Sequence, residues 1–120
     1  MHELSIAQSI LDIVHTHVPA AELPRVRSVK LKVGELAGIV TDSLEFCFTA
    51  LVHETDLAAS SLLIEHVPYT IHCNVCDVTM QATPGFRPCP NCGGADTVMT
   101  AGGELQVLEI ELHEDGQDTP

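Results

Sequence analysis

Tryptophan is absent from the chain, and its 120 residues hold only one Tyr and three Phe. Phe46, Phe48, Phe86 and Tyr69 are too few for a platform on which nucleic-acid bases would stack. Cations are scarce as well. Five Lys and Arg stand against 17 Asp and Glu, a net charge of −12. That balance argues against a general nucleic-acid binder, which needs a basic face to displace counterions, and against docking on an anionic membrane surface. No apolar run approaches the roughly 20 residues of a membrane span, and no basic segment precedes an apolar stretch as in a secretory leader. The expectation is a soluble, cytoplasmic protein. The apolar share is 45%, enough for a real core and too high for a disordered acidic polymer. Five Cys in such a chain point to metal or redox chemistry before a disulfide framework.

Periodicity places a helix over residues 4–18, where Ile6, Ile10, Ile13 and Val14 keep helical spacing. Ser5 followed by Gln8 reads as its capping box. Residues 19–24 carry two prolines and form a connector. Residues 25–33 alternate apolar Val29, Leu31 and Val33 with polar Ser28, Lys30 and Lys32, the pattern of a half-buried strand. After a turn bracketed by Gly34 and Gly38, Asp42 and Glu45 look like the cap of a second helix. Its apolar stripe is Leu44, Cys47, Phe48, Leu51 and Val52, and Cys47 reads as a buried, inert thiol of that stripe. A second strand covers 61–67 and a last one 105–113, where Glu109 and Glu111 are expected opposite Lys30 and Lys32. The tail, 114–120, is polar. Residues 69–100 differ in kind, with four Cys and little periodicity. Apolar burial cannot organise them, and a metal would have to.

Cys73-Asn74-Val75-Cys76 and Cys89-Pro90-Asn91-Cys92 are two CxxC pairs separated by 12 residues. Two intervening residues let both sulfurs of a knuckle face one ion, and four thiolates close a tetrahedral shell of the kind zinc prefers. Such a site has no open position for substrate and is structural. Gly93 and Gly94 suit the sharp turn of a knuckle, where a backbone N–H can approach a sulfur, whereas Asp77 stands at that place in the first. Iron shares the tetrahedral thiolate geometry, so a rubredoxin-type centre is an alternative, and free thiols in a loop are the blandest one. His72 adjoins Cys73 and reads as a supporting or solvent-facing residue, since four thiolates already complete the shell.

The chain opens Met1-His2-Glu3. A free amine, backbone amides and an imidazole can wrap one cation in a planar nitrogen set, the geometry of Ni(II) or Cu(II). Alone, the tripeptide is weak evidence. Together with the rest of the opening MHELSIAQSI, the GELAGI segment, the helix after it and the paired CxxC knuckles, it resembles the HypA family of hydrogenase nickel-incorporation proteins, over nearly the whole chain. The resemblance implies one nickel held by the Met1 amine, the His2 imidazole and backbone amides of His2 and Glu3, and structural zinc at Cys73, Cys76, Cys89 and Cys92. It implies an α+β fold, a small mixed sheet packed with two helices. A nickel domain of 1–68 and 103–120 would then carry an inserted zinc-ribbon module at 69–102. It further implies a metallochaperone that is no enzyme, handing nickel to the immature large subunit of nickel–iron hydrogenase with a HypB-type GTPase, some relatives also serving urease.

Several residues stay open. The Glu3 side chain either joins the nickel or sits in the first helical turn, where acids suit the dipole. Asp42 caps its helix or acts as an outer ligand. His15, His17, His53, His66 and His113 form no ligand spacing with one another. The competing functions are a zinc-ribbon interaction module without nickel and a rubredoxin-like electron carrier. A hydrolase fits worst, because neither an open three-ligand zinc set nor a nucleophile–base motif is recognisable.

Overall fold

The computed structural model describes residues 3–113. Two helices, α1 (Glu3–His17) and α2 (Thr41–Val52), pack against each other. Six strands follow the order β1 (Val26–Gly34), β2 (Ser61–Val67), β3 (Thr70–Cys73), β4 (Val78–Gln81), β5 (Thr97–Ala101) and β6 (Leu105–Leu112). They form two three-stranded sheets, ordered β2-β1-β6 and β4-β3-β5. This is the expected α+β class, with the strands divided between two small sheets.

The chain groups into two compact units. One holds Ile39–Ile64 with the chain before Lys32 and after Gln106. The other holds Lys32–Gly38 and Glu65–Gln106. In the first, the apolar stripe of α1 buries Ile6, Ala7, Ile10 and Val14, and that of α2 buries Leu44, Phe48 and Val52. Ile13 falls on the rim of the α1 stripe and stays exposed. Cys47 is half-buried. The central strand β1 has neighbours on both sides, and its Val26, Ser28, Val29, Leu31 and Val33 are all buried.

Two capping expectations fail for the same reason, a helix that starts earlier than its local signal. Helix α1 already includes Glu3, so Ser5 lies within its first turns and caps nothing. Helix α2 has Val40 at its N-cap, without a side-chain cap, which leaves Asp42 as an acid in the first turn. The acceptor for the Val40 N–H is instead the Glu3 carboxylate, with Oε2 at 3.3 Å. The charge pairing on the sheet also differs. The His113 N–H donates to the Arg25 carbonyl at 2.8 Å, and this sets Arg27, 3.7 Å from Glu111, as its partner. Both side chains are more than half exposed, so the pair adds little stability.

In the second unit, β3 pairs antiparallel with β4 and with β5. Residues 69–100 therefore contain three short strands where periodicity showed none. The buried side chains here are few, chiefly Tyr69, Ile71, Cys73, Cys89 and Thr97. A backbone crossing fixes the place of Lys32–Gly38. The Leu36 N–H donates to the Gly102 carbonyl at 2.8 Å, the Tyr69 N–H to Glu35 Oε1 at 2.5 Å. At Gly34 an added Cβ would collide with the Gly102 backbone and lie 2.7 Å from the Gly103 nitrogen. Backbone cannot give way as a side-chain tip can. Gly34→Ala is therefore expected to cost at least about 2 kcal/mol, at the upper end of overpacking penalties. Chemical denaturation compared with the parent chain checks this, and an unchanged midpoint would contradict it.

Candidate metal centre

The turn between β3 and β4 carries Cys73 and Cys76, and the loop between β4 and β5 carries Cys89 and Cys92. Each pair sits in a tight turn closed in the same way. The Asp77 N–H donates to the Cys73 carbonyl at 2.7 Å, and the Gly93 N–H to the Cys89 carbonyl at 2.8 Å. Both closing residues take positive φ, 56° at Asp77 and 73° at Gly93. Glycine reaches that region without penalty, and Asp is among the few other residues that tolerate it. The absence of a glycine from the first knuckle thus leaves its geometry intact. The first turn is tied to the residue just ahead of β5. The Asn74 N–H donates to the Asp96 carbonyl and its Nδ2 to Asp96 Oδ1, both at 3.0 Å.

All four sulfurs lie within 4.8 Å of one another. Sulfurs arranged tetrahedrally at 2.3 Å from a zinc ion would stand about 3.8 Å apart, and Cys73 Sγ and Cys92 Sγ are 3.8 Å apart. The donor set and its size therefore fit zinc. Backbone N–H groups converge on the sulfurs: Cys76 on Cys73 at 3.4 Å, Asn91 on Cys89 at 3.4 Å, Cys92 on Cys89 at 3.5 Å and Gly94 on Cys92 at 3.4 Å. Such donors stabilise thiolate charge and orient the ligands. Cys73 and Cys89 are buried, Cys76 is half-buried and Cys92 is exposed.

Cys89 and Cys92 are shifted in opposite directions. The Cys92 N–H leads the donors that hold Cys89 down, against the effect of burial, at about 7 instead of 9.0. At Cys92 the Gly94 N–H lowers the pKa, but the Cys76, Cys73 and Cys89 thiols, with burial, outweigh it and push the group up to about 11. Neighbouring sulfurs thus disfavour ionisation of Cys92, and a divalent cation would supply the missing charge. Loading a metal at neutral pH must then expel protons, Cys92 contributing nearly a full one.

His72 is engaged elsewhere. Its Nδ1 lies 2.9 Å from Thr79 Oγ1 and its Nε2 3.2 Å from Asp77 Oδ1. It braces the first knuckle from outside. Sequence reasoning missed Asn91. Its Nδ2 donates to Cys76 Sγ at 3.5 Å while its backbone N–H donates to Cys89 Sγ, so one residue links both knuckles. The available signal was an amide side chain between two ligands, and it reads equally well as a turn residue.

Met1 and His2 lie outside the described residues. Glu3 stands in the first turn of α1 with its carboxylate on the Val40 N–H, and Asp42 is exposed. Among the described residues, no other group of three or more His, Cys, Asp or Glu converges as a ligand set. Cys47 and the scattered histidines do not join one. No helix among the described residues is long and apolar enough to cross a membrane.

Two cysteine knuckles converging on one tetrahedral thiolate site, carried on a small α+β chain, define a metal-binding protein of the zinc-knuckle kind. Comparison with known proteins is more specific. A family profile described as hydrogenase/urease nickel incorporation, metallochaperone, HypA matches residues 1–112, and the chain belongs to that family of nickel metallochaperones. Hydrogenase maturation factor HypA of Geotalea daltonii is 41% identical over 112 residues, covering 93% of this chain and 99% of the relative. Its counterpart in Streptomyces avermitilis is 40% identical over 121 residues, covering 98% and 90%. The solution structure of the Ni metallochaperone HypA from Helicobacter pylori superposes with a TM-score of 0.62 at 19% identity, covering 94% of this chain and 98% of that one. At that identity the likeness concerns the fold.

Proposed function

We propose that this chain carries one Ni(II) at its N-terminus, through the Met1 amine, the His2 imidazole and the backbone amides of His2 and Glu3. It delivers the ion to the immature large subunit of nickel–iron hydrogenase in the cytoplasm, working with a HypB-type GTPase, and urease is a second client of the same chemistry. It acts as a carrier and not as a catalyst. Zinc at Cys73, Cys76, Cys89 and Cys92 holds the 69–102 module rigid, while residues 1–68 and 103–120 handle nickel.

The observation that carries this reading is that the family match starts at residue 1, so the Met1-His2-Glu3 opening falls inside it. Local structure supports it. Helix α1 includes Glu3 in its first turn, and the N–H groups of a first helical turn have no intrahelical acceptor. The Glu3 amide is therefore free to give up its proton to a metal. A cation just before a helix N-terminus meets the positive end of the dipole. That moderates the affinity, which suits an ion meant to be passed on.

Extending the chain by two residues ahead of Met1 converts the amine into an amide and moves it off the end. Nickel binding is expected to weaken at least tenfold, and the visible band of a square-planar Ni(II) centre is expected to vanish. An extended protein that loads nickel with an unchanged spectrum would refute the ligand set.

A further inference from the structure

Strand β6 lies at the edge of its sheet, with β1 as its one neighbour in the order β2-β1-β6. The His113 N–H donates to the Arg25 carbonyl, and in an antiparallel ladder the direction of N–H and C=O alternates residue by residue. His113 and Glu111, which stands opposite Arg27, thus face β1, whereas the Gly34 N–H donates to the Glu104 carbonyl at 2.8 Å, an even-numbered position, so the alternation is broken between 104 and 111. Ile110 and Leu112 turn their N–H and C=O away from it. Proteins usually blunt such an edge with Lys, Pro or a covering segment. The β6 sequence LQVLEIEL has neither Lys nor Pro, and no strand among the described residues covers this side.

A groove of about 410 Å³ runs beside this edge, walled by Ile13, His17 and Val18 and by residues 107–110 and Leu112 of β6. Side chains of consecutive strand residues point to opposite faces. Four consecutive residues can reach one groove only if it follows the strand's edge. The walls are mixed, apolar Val18, Val107, Ile110 and Leu112 standing beside His17 and Glu109, and Leu108 and Ile13 stay 42% and 37% exposed. The charges along the strand are the acids Glu109 and Glu111, of which Glu111 already stands 3.7 Å from Arg27. A second copy would bring the same acids, within a chain of net charge −12, and like charges across paired strands repel. The complement is a segment of opposite sign.

We infer that β6 is a docking edge for an extended segment of a partner protein that alternates apolar residues with Lys or Arg and adds to the sheet as a further strand. The inference is independent of the nickel reading. The probes are two synthetic eight-residue peptides, one alternating Lys with Val and one alternating Glu with Val, added to the full untagged chain under amide hydrogen exchange. The Lys–Val peptide is expected to slow exchange at Ile110 and Leu112 at least tenfold, and the Glu–Val peptide to leave it unchanged. Ile110→Pro, which removes an outward N–H without touching the β1 ladder, is expected to abolish the protection. Ile110→Lys, which keeps the backbone donor, is expected to weaken it by the same factor. Equal protection by both peptides, protection confined to other elements, or amides already protected in a dimer detected by light scattering would each overturn the proposal.

Discussion

Replacing Cys89 with serine is expected to abolish metal retention and melt strands β3 to β5 while α1, α2 and the core around Phe48 persist. The second unit buries few side chains, chiefly Tyr69, Ile71, Cys73, Cys89 and Thr97, and its three strands are four or five residues long. A core this small does not offset the conformational entropy of ordering the segment. Structural zinc contributes about 10–16 kcal/mol in small finger peptides at neutral pH, so the metal decides whether the segment folds. Cys89 is the informative position because it is buried and its sulfur accepts the N–H groups of both Asn91 and Cys92. Serine offers neither a thiolate nor the longer reach of sulfur. The first unit buries Ile6, Ile10, Val14, Val29, Leu31, Leu44 and Phe48 without using the knuckles. Metal analysis and backbone amide spectra check the outcome. Zinc should fall from one per chain to near none, with resonances of β3 to β5 collapsing alone. Retained zinc with dispersed signals from those strands would contradict the account.

His2→Ala is expected to weaken nickel binding by about 100-fold or more, or about 2.7 kcal/mol, as one of four planar nitrogen donors is lost. The zinc content should not change, because the four-sulfur centre uses no histidine and His72 is held by Thr79 and Asp77. Glu3→Gln separates two roles of the neighbouring residue. The structure already employs the Glu3 carboxylate as acceptor for the Val40 N–H, an acceptor that Gln retains. Equilibrium nickel titration at fixed pH on each variant reads the difference, since the amide ligands compete with protons. Nickel affinity unchanged by His2→Ala would remove the N-terminus from the mechanism.

The features legible in sequence are those whose cause is local. The strand at 61–67 was readable because apolar and turn residues bracket it, and the four-cysteine centre because each CxxC knuckle is complete within four residues. What escaped depends on partners far along the chain. The Val40 N–H just ahead of α2 finds its acceptor in Glu3, 37 positions away, a contact invisible to local inspection, which points to Asp42. Gly34 reads as an ordinary turn glycine, yet its constraint is the backbone at Gly102 and Gly103. Strands β3 to β5 give little alternating signal because they are only four or five residues long, and β4 and β5 are mostly exposed. The N-terminal ligands carry almost no intrinsic pattern, and the family resemblance alone drew attention to them.

Nickel titration of the untagged, zinc-loaded protein, followed by metal analysis of the parent and His2→Ala chains side by side, tests the central claim most directly. The account predicts one zinc and one nickel per parent chain, and one zinc without nickel in the variant. Nickel that instead displaces zinc from Cys73, Cys76, Cys89 and Cys92, or that binds both chains equally, would contradict it.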